Sequence, residues 1–494
     1  MRPTVGGARR ARLGTGLAAA VCAALAAAGC TSSSPHAGPS AHPSVPAATA
    51  TSTTPAPGAA TSGDSLFPED GNGGYDVTHY AITISYDPAT QKLTGANTIT
   101  ATATQALSRF DLDLHDLTVA SVTVANHPAT FSRSADKLAI VPSRSIPLGA
   151  TFTTTIRYGG TPSPYNDPSL GFEGFIPETD GALAQGEPQV AASWYPVNDR
   201  PTDKATYDIT ITAPTALAAI SNGVLDSKRS SGANTTWHWV ESSPMASYLA
   251  LVAIGKYRVT TTAHDGMPVV LAVADALPRM VDTALAETPA ILDFLETQFG
   301  PYPFDAVGGV VHNDPRIRFA LENQTRPTYA PAFFAGGPDV ASTVIAHELT
   351  HQWFGDNVTV GDWSDVWLNE GFATYAEWLW SGHEGRDTPK QKFDALYKAT
   401  SFPTNPPASP TVRSVFGPSS YLRGAATLEA LRITVGGDTF WRIVRGWAKL
   451  HAGGNATTAE FVAYANDISG RSLDSFLHAW LYDSGKPPYP TRLK

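Results

Sequence analysis

Between residues 66 and 263 apolar side chains recur at every second position, and no other feature of the chain limits its fold as strongly. Tyr80, Ile82, Ile84 and Tyr86 alternate with polar neighbours, as do Phe110, Leu112 and Leu114, and again Tyr207, Ile209 and Ile211. A strand points successive side chains to opposite faces, so such runs build sheets with one buried face. Turn-forming stretches such as YDPAT and ANHPAT separate the runs at short intervals. Residues 66–263 therefore read as an antiparallel β-sandwich that ends on the buried-looking strand YLALVAIG. The period then lengthens. PRMVDTALAETPAILDFLETQFGPYPF opens with a proline, carries apolar residues at helical spacing and stops at Gly300 ahead of Pro301. Most strong segments beyond it look helical, which predicts a mainly α-helical domain over 264–494 and an α+β chain of more than one domain.

The start of the chain has a different character. Arg2, Arg9, Arg10 and Arg12 precede an Ala/Leu-rich segment, Leu13 to Ala28, that is marginal for a spanning helix. This is the layout of an export signal over residues 1–30. It ends in LAAAGC, which resembles a bacterial lipoprotein processing box with Cys30 as the lipidated residue, although Ala27 stands where leucine is usual. An ordinary cleaved secretory signal is the alternative. The expected location is outside the cell, on the membrane through Cys30 or secreted. Residues 31–65 are rich in Ser, Thr, Pro, Ala and Gly and show no periodic apolar face, so they read as a flexible stalk. Cys22 and Cys30 are the chain's two cysteines, so an exported mature form would have no disulfide and would depend on its cores. With 494 residues and 42% hydrophobic content, the chain is long enough for more than one core. A net charge of −10, with no dense basic run past the N-terminus, argues against a nucleic-acid partner.

HELTHQWFG, residues 347–355, carries the chemistry. His347 and His351 lie four apart and share a helix face, so both can reach one ion. Glu348 would face the same cavity without binding the metal, placed to take a proton from a water at the metal's open position. A hydrolytic zinc site needs three protein ligands and one free position. Glu370, nineteen positions after His351 in the amphipathic stretch SDVWLNEGFATYAEWLW, can supply the third. Thr374, one turn further on, is placed either to hydrogen-bond a ligand or simply to pack.

HELTHQWFG followed by Glu370 within WLNEGFA resembles the gluzincin aminopeptidases, the M1 metallopeptidases that include aminopeptidase N and leukotriene A hydrolase. RFALENQT is similar to the family's exopeptidase motif, with Ala320 and Leu321 in place of the usual residues and Glu322 and Asn323 kept. QGEPQVAASWYPVNDRP matches a further family segment at Gln185, Glu187, Pro188, Tyr195, Pro196, Asp199 and Pro201. SYLRGAATLEAL resembles a third, with Arg423 for lysine and Tyr421 kept. The resemblance implies a saddle-like β domain followed by a thermolysin-like zinc peptidase domain with one Zn²⁺ per chain. It implies further that Tyr421 stabilises the oxyanion, and that Glu187 and Glu322 bind the α-ammonium of peptides with a free N-terminus. Ala320 would line the substrate through its backbone, with Asn323 beside it. Larger family members continue with a helical domain beyond the point where this sequence stops, which leaves peptide-length limits open. A zinc endopeptidase, an epoxide hydrolase and an inactive surface-binding scaffold are the competing expectations; Glu187 and Glu322 speak against the first, and the full ligand set with Glu348 against the last.

Overall fold

The computed structural model describes residues 54–167, 171–188 and 190–493. The export signal, Cys30 and most of the expected stalk lie outside the described residues. Among the described residues no helix is long and apolar enough to cross a membrane.

The two strongest alternating runs are neighbours. Ala205–Pro214 pairs with Tyr75–Asp87 so that Tyr207 lies beside Tyr80, Ile209 beside Ile82 and Ile211 beside Ile84. All six are buried, and the rings of Tyr80 and Tyr207 stack at 5.0 Å. These strands form the centre of an eight-stranded sheet that also takes in Lys92–Ala103, Thr151–Gly160, Thr118–Val124, Asn234–Met245, Val224–Ser231 and His127–Pro128. The expected all-antiparallel arrangement holds at every pairing of this sheet except that of Ala205–Pro214 with Tyr75–Asp87, which is parallel. The reason is topological. More than a hundred residues separate the two strands, so no hairpin dictates their relative direction. Two smaller sheets pack against this one through a shared apolar core.

The described end of the expected stalk is held by the folded chain. Ala56 and Pro57 pair with Leu107 and Arg109. Ser65 donates to Asp362 from its N–H at 2.8 Å and from its hydroxyl at 2.6 Å, and Asp64 accepts from Trp363 N–H at 2.9 Å. Composition misses this because backbone groups and two short polar side chains make the contacts, not an apolar face.

Tyr257–His264 and Met267–Ala274 form a hairpin, and Met267–Ala274 continues in parallel to Val307–Val311 and on to Thr328–Tyr329. The helical pattern between them is two helices, Arg279–Leu285 and Thr288–Phe299, interrupted before Pro289, which has no N–H to continue the first. The helices that follow include Pro338–His351, Trp367–His383 and Gly424–Val435. The last two meet backbone to backbone. A Cβ on Gly371 would lie 2.9 Å from the Gly424 backbone, and one on Gly424 would lie 2.8 Å from Gly371 Cα, so neither position accepts a side chain without displacement. This contact sets the depth at which the turn before Gly424 enters the centre of the domain.

Candidate active site

The helix Pro338–His351 ends in the HELTH segment, where His347 and His351 are both buried. Trp367–His383 brings Glu370 in its first turn against them. Glu370 Oε2 lies 3.2 Å from His347 Nε2 and 3.4 Å from His351 Nε2. One ligand atom from each of the three residues falls within 4.8 Å of the other two. The far ring nitrogens are held as well. His347 Nδ1 is 2.6 Å from Glu377 Oε1, and His351 Nδ1 is 3.0 Å from the Phe354 carbonyl oxygen. Such contacts fix ring orientation and leave each Nε2 free to coordinate.

The charges of this cluster call for a cation. Burial would raise the Glu370 carboxyl, but His351 and His347 outweigh it and bring it down to about 2. Burial would lower His351, yet Glu322 and Glu370 lift it to about 9, and His347 is likewise raised by Glu370 and Glu377 against its burial. The acids therefore draw positive charge onto the imidazoles, the charge a divalent ion would supply in place of those protons. Two neutral imidazoles and one carboxylate are the donor set of catalytic zinc, and the oriented ring nitrogens fit it.

Glu348 is 4% exposed and lines the same cavity of ≈ 530 Å³. Burial pushes its carboxyl up to about 8, offset in part by His347 and His351. One atom each from Glu322, Glu348 and His351 also falls within 4.8 Å of the others, so Glu348 lies close both to one of the candidate metal ligands and to Glu322.

Tyr421 lies in a π-helical turn, Ser419–Arg423, that leads into Gly424. Such turns re-aim one side chain, and here the Tyr421 ring stacks over His347 at 6.0 Å and lines the cavity. Burial, with Glu370 and Glu187 nearby, holds its phenol well above the ordinary range, so it remains a donor. Arg423 anchors the turn from below. Fully buried, it donates to six backbone carbonyls, those of Thr404, Asn405, Ala479, Trp480, Asp483 and Gly485.

Glu187 and Glu322 reach the cavity from other directions. Gly186, with φ of +134°, turns the chain so closely past Glu173 that a Cβ would lie 2.5 Å from its carboxylate. Glu187 N–H donates to that carboxylate at 3.0 Å, while its own Oε2 is buried without a partner. Tyr248 donates to Glu322 Oε1 at 3.4 Å, and Gln352 Nε2 donates to the Glu322 carbonyl at 2.9 Å. Burial raises both carboxyls, that of Glu187 further through Glu322.

Ala320 lines the cavity as well, but Asn323 does not. Its side chain donates to the Leu249 carbonyl at 3.2 Å and accepts from Thr328 at 3.0 Å, which locks the loop that carries Glu322. Thr374 is buried with its hydroxyl unpartnered and touches no metal donor by hydrogen bond. The supporting residue is Glu377, seven positions after Glu370 and so on the same helix face, a spacing visible in the sequence. Replacing Glu377 with alanine is expected to weaken metal retention about tenfold to a hundredfold, read as zinc released to a competing chelator. Unchanged retention would remove it from that role.

Fold and site together define a metal-dependent hydrolase of the two-histidine, one-glutamate kind. The description "Peptidase family M1 domain" matches residues 283–480, and "Peptidase M1 N-terminal domain" matches residues 76–249. The chain belongs to peptidase family M1. It is 28% identical over 355 residues to Aminopeptidase M1 of Arabidopsis thaliana, covering 67% of this chain and 40% of that one. It is 29% identical over 331 residues to glutamyl aminopeptidase of Bos taurus, covering 62% and 34%. The chain thus spans less than half the length of these relatives. The M1 zinc metallopeptidase of Deinococcus radiodurans superposes with a TM-score of 0.80 at 28% identity, covering 88% of this chain and 99% of that one. A mutant of it was solved bound to a Tyr-Ser-Ala substrate, with a TM-score of 0.81 at 29% identity, covering 87% and 99%.

Proposed function

We propose that the protein is a zinc-dependent aminopeptidase that removes the first residue from peptides with a free α-amino group. One observation carries this reading: a buried carboxylate pair opens onto the same cavity as the three metal donors and the base. Glu187 Oε2, unpartnered and buried, needs a donor, and a substrate ammonium is one. Anchoring the ammonium beside the metal donors permits attack at the first peptide bond and little else. The names of the relatives and the tripeptide complex of the structural neighbour support the same reading.

His347, His351 and Glu370 would hold the zinc ion, which when bound polarises the scissile carbonyl and makes a water nucleophilic at neutral pH. Glu348 takes the proton from the attacking water and returns it to the leaving amine. Tyr421 donates to the carbonyl oxygen as negative charge develops there. Glu377 and the Phe354 carbonyl keep the two imidazoles oriented throughout. The loop lock through Asn323, Thr328 and Gln185 holds Glu322 in place.

The test compares one short peptide with a free and with an acetylated N-terminus on the zinc-loaded full chain, with products read by mass spectrometry. Release of one residue from the free peptide alone is expected. Internal cleavage of both peptides would make the protein an endopeptidase, and cleavage of neither across a varied peptide set would leave a binding scaffold.

A further inference from the structure

Past the helix Pro338–His351 the chain makes a turn in which four successive carbonyls, those of Phe354, Gly355, Asp356 and Asn357, each find a partner. The first lies 3.0 Å from His351 Nδ1 and the second 3.4 Å from the Tyr248 hydroxyl. The third and fourth accept from Lys204 Nζ at 2.6 and 3.0 Å, and the same ammonium lies 3.5 Å from the Gly454 carbonyl oxygen. An ammonium has three donors, so these carbonyls use all of them. The turn is also tight against the metal donor. Asp356 N–H donates to the His351 carbonyl at 2.9 Å, and Gly355, with φ of +139°, passes so close that a Cβ there would lie 3.2 Å from His351 Nδ1.

Lys204 comes from the β-rich part of the chain, one residue ahead of the strand Ala205–Pro214. Its neighbour Asp203 is buried and accepts from Val77 N–H at 2.8 Å and from the Asn198 side chain, so the lysine stem starts from a fixed point. Burial, opposed in part by Asp356, pulls the ammonium down to about 8, a cost that its carbonyl acceptors offset. Joining the two parts of the chain does not call for that charge. Asn455 already bridges them a few residues away, donating to the Pro201 carbonyl at 3.0 Å and to the Val360 carbonyl at 3.1 Å. What Lys204 adds is a pair of charge-assisted hydrogen bonds, stronger than neutral ones, that end two and three residues from the carbonyl facing the His351 ring.

We propose that Lys204 is a positioning residue for the metal centre: it holds the turn of residues 354–357 so that the Phe354 carbonyl keeps the His351 imidazole with Nε2 directed at the ion. This rests on the zinc aminopeptidase reading above and adds to it a residue that touches neither metal nor substrate. Without the ammonium the Asp356 and Asn357 carbonyls lose their charged donor, the turn gains freedom, and the imidazole gains it too. A ligand held less firmly binds its ion more weakly.

The experiment measures zinc affinity against a competing chelator and the visible absorption of the cobalt-substituted protein, on the full chain and on Lys204→Met, which keeps a long side chain and loses the donors. Lys204→Met is expected to bind zinc about tenfold more weakly, or worse, and to shift the cobalt bands, which report ligand geometry. Asn455→Ala, which cuts the neutral bridge between the same parts of the chain, is expected to lower Tm and to leave both readouts unchanged. A merely structural role for Lys204 would make the two variants behave alike. Lys204→Gln, which keeps two donors without the charge, is expected to fall between Lys204→Met and the unmodified protein, and it decides the matter if Lys204→Met does not fold. Zinc affinity and cobalt bands that are unchanged in a folded Lys204 variant, or changed equally in Asn455→Ala, overturn the inference. Unmodified protein that binds zinc but cleaves no peptide overturns the aminopeptidase reading alone, and protein that binds no zinc overturns both.

Discussion

Glu348→Gln protein is expected to lose about 10³-fold in kcat while keeping its zinc, its fold and its KM within a few-fold. The substitution keeps the shape of the side chain and removes only its capacity to accept and return a proton. The three metal donors are other residues, so metal content stays unchanged. Glu348 is buried against His347 and His351, and its carboxyl is pushed up to about 8, which places its affinity for a proton close to neutral pH and suits a group that must both take and give one. The loss amounts to about 4 kcal/mol of transition-state stabilisation. Steady-state kinetics beside zinc content by atomic absorption make the measurement. A loss below tenfold with zinc in place would mean that another group handles the proton.

Tyr421→Phe is expected to lower kcat about 10²-fold to 10³-fold with KM nearly unchanged, because its hydrogen bond strengthens only as charge develops on the carbonyl oxygen. The aromatic ring that stacks over His347 survives the change. The turn that carries it is fixed by Arg423 and by the Gly371–Gly424 contact, neither of which involves the hydroxyl. A variant with raised KM and intact kcat would recast Tyr421 as a substrate-binding residue.

Much of this architecture was legible along the chain because period and spacing are local quantities. The alternation at Tyr80–Tyr86 and Tyr207–Ile211 reported burial on one face, and those faces are in contact. The four-residue step between His347 and His351 placed both on one side of a helix. What stayed hidden depends on contacts between distant segments. The parallel direction of Ala205–Pro214 against Tyr75–Asp87 is set by a long connection with no local signature. Asn323 matched a family motif, yet which way its side chain turns is decided by Leu249 and Thr328. The close pass at Gly186 is needed because Glu173 and Val190 lie against it, and both are brought there by the fold. Glu377 is the intermediate case. Its seven-residue step from Glu370 was readable, but its partner nitrogen on His347 was not.

Arg423 ties the turn of Tyr421 to carbonyls of residues 479–485. During synthesis the metal donors and the base are complete by residue 370, more than a hundred residues before those carbonyls exist. The anchor of the oxyanion donor proposed above is therefore made last. On the proposed mechanism, a chain cut ahead of this segment would keep His347, Glu348, His351 and Glu370 but lose the carbonyls that hold the turn of Tyr421. On that mechanism, the last step in building the site is thus the closing of residues 479–485 onto Arg423, and that contact ties the chain's final helix to the chemistry.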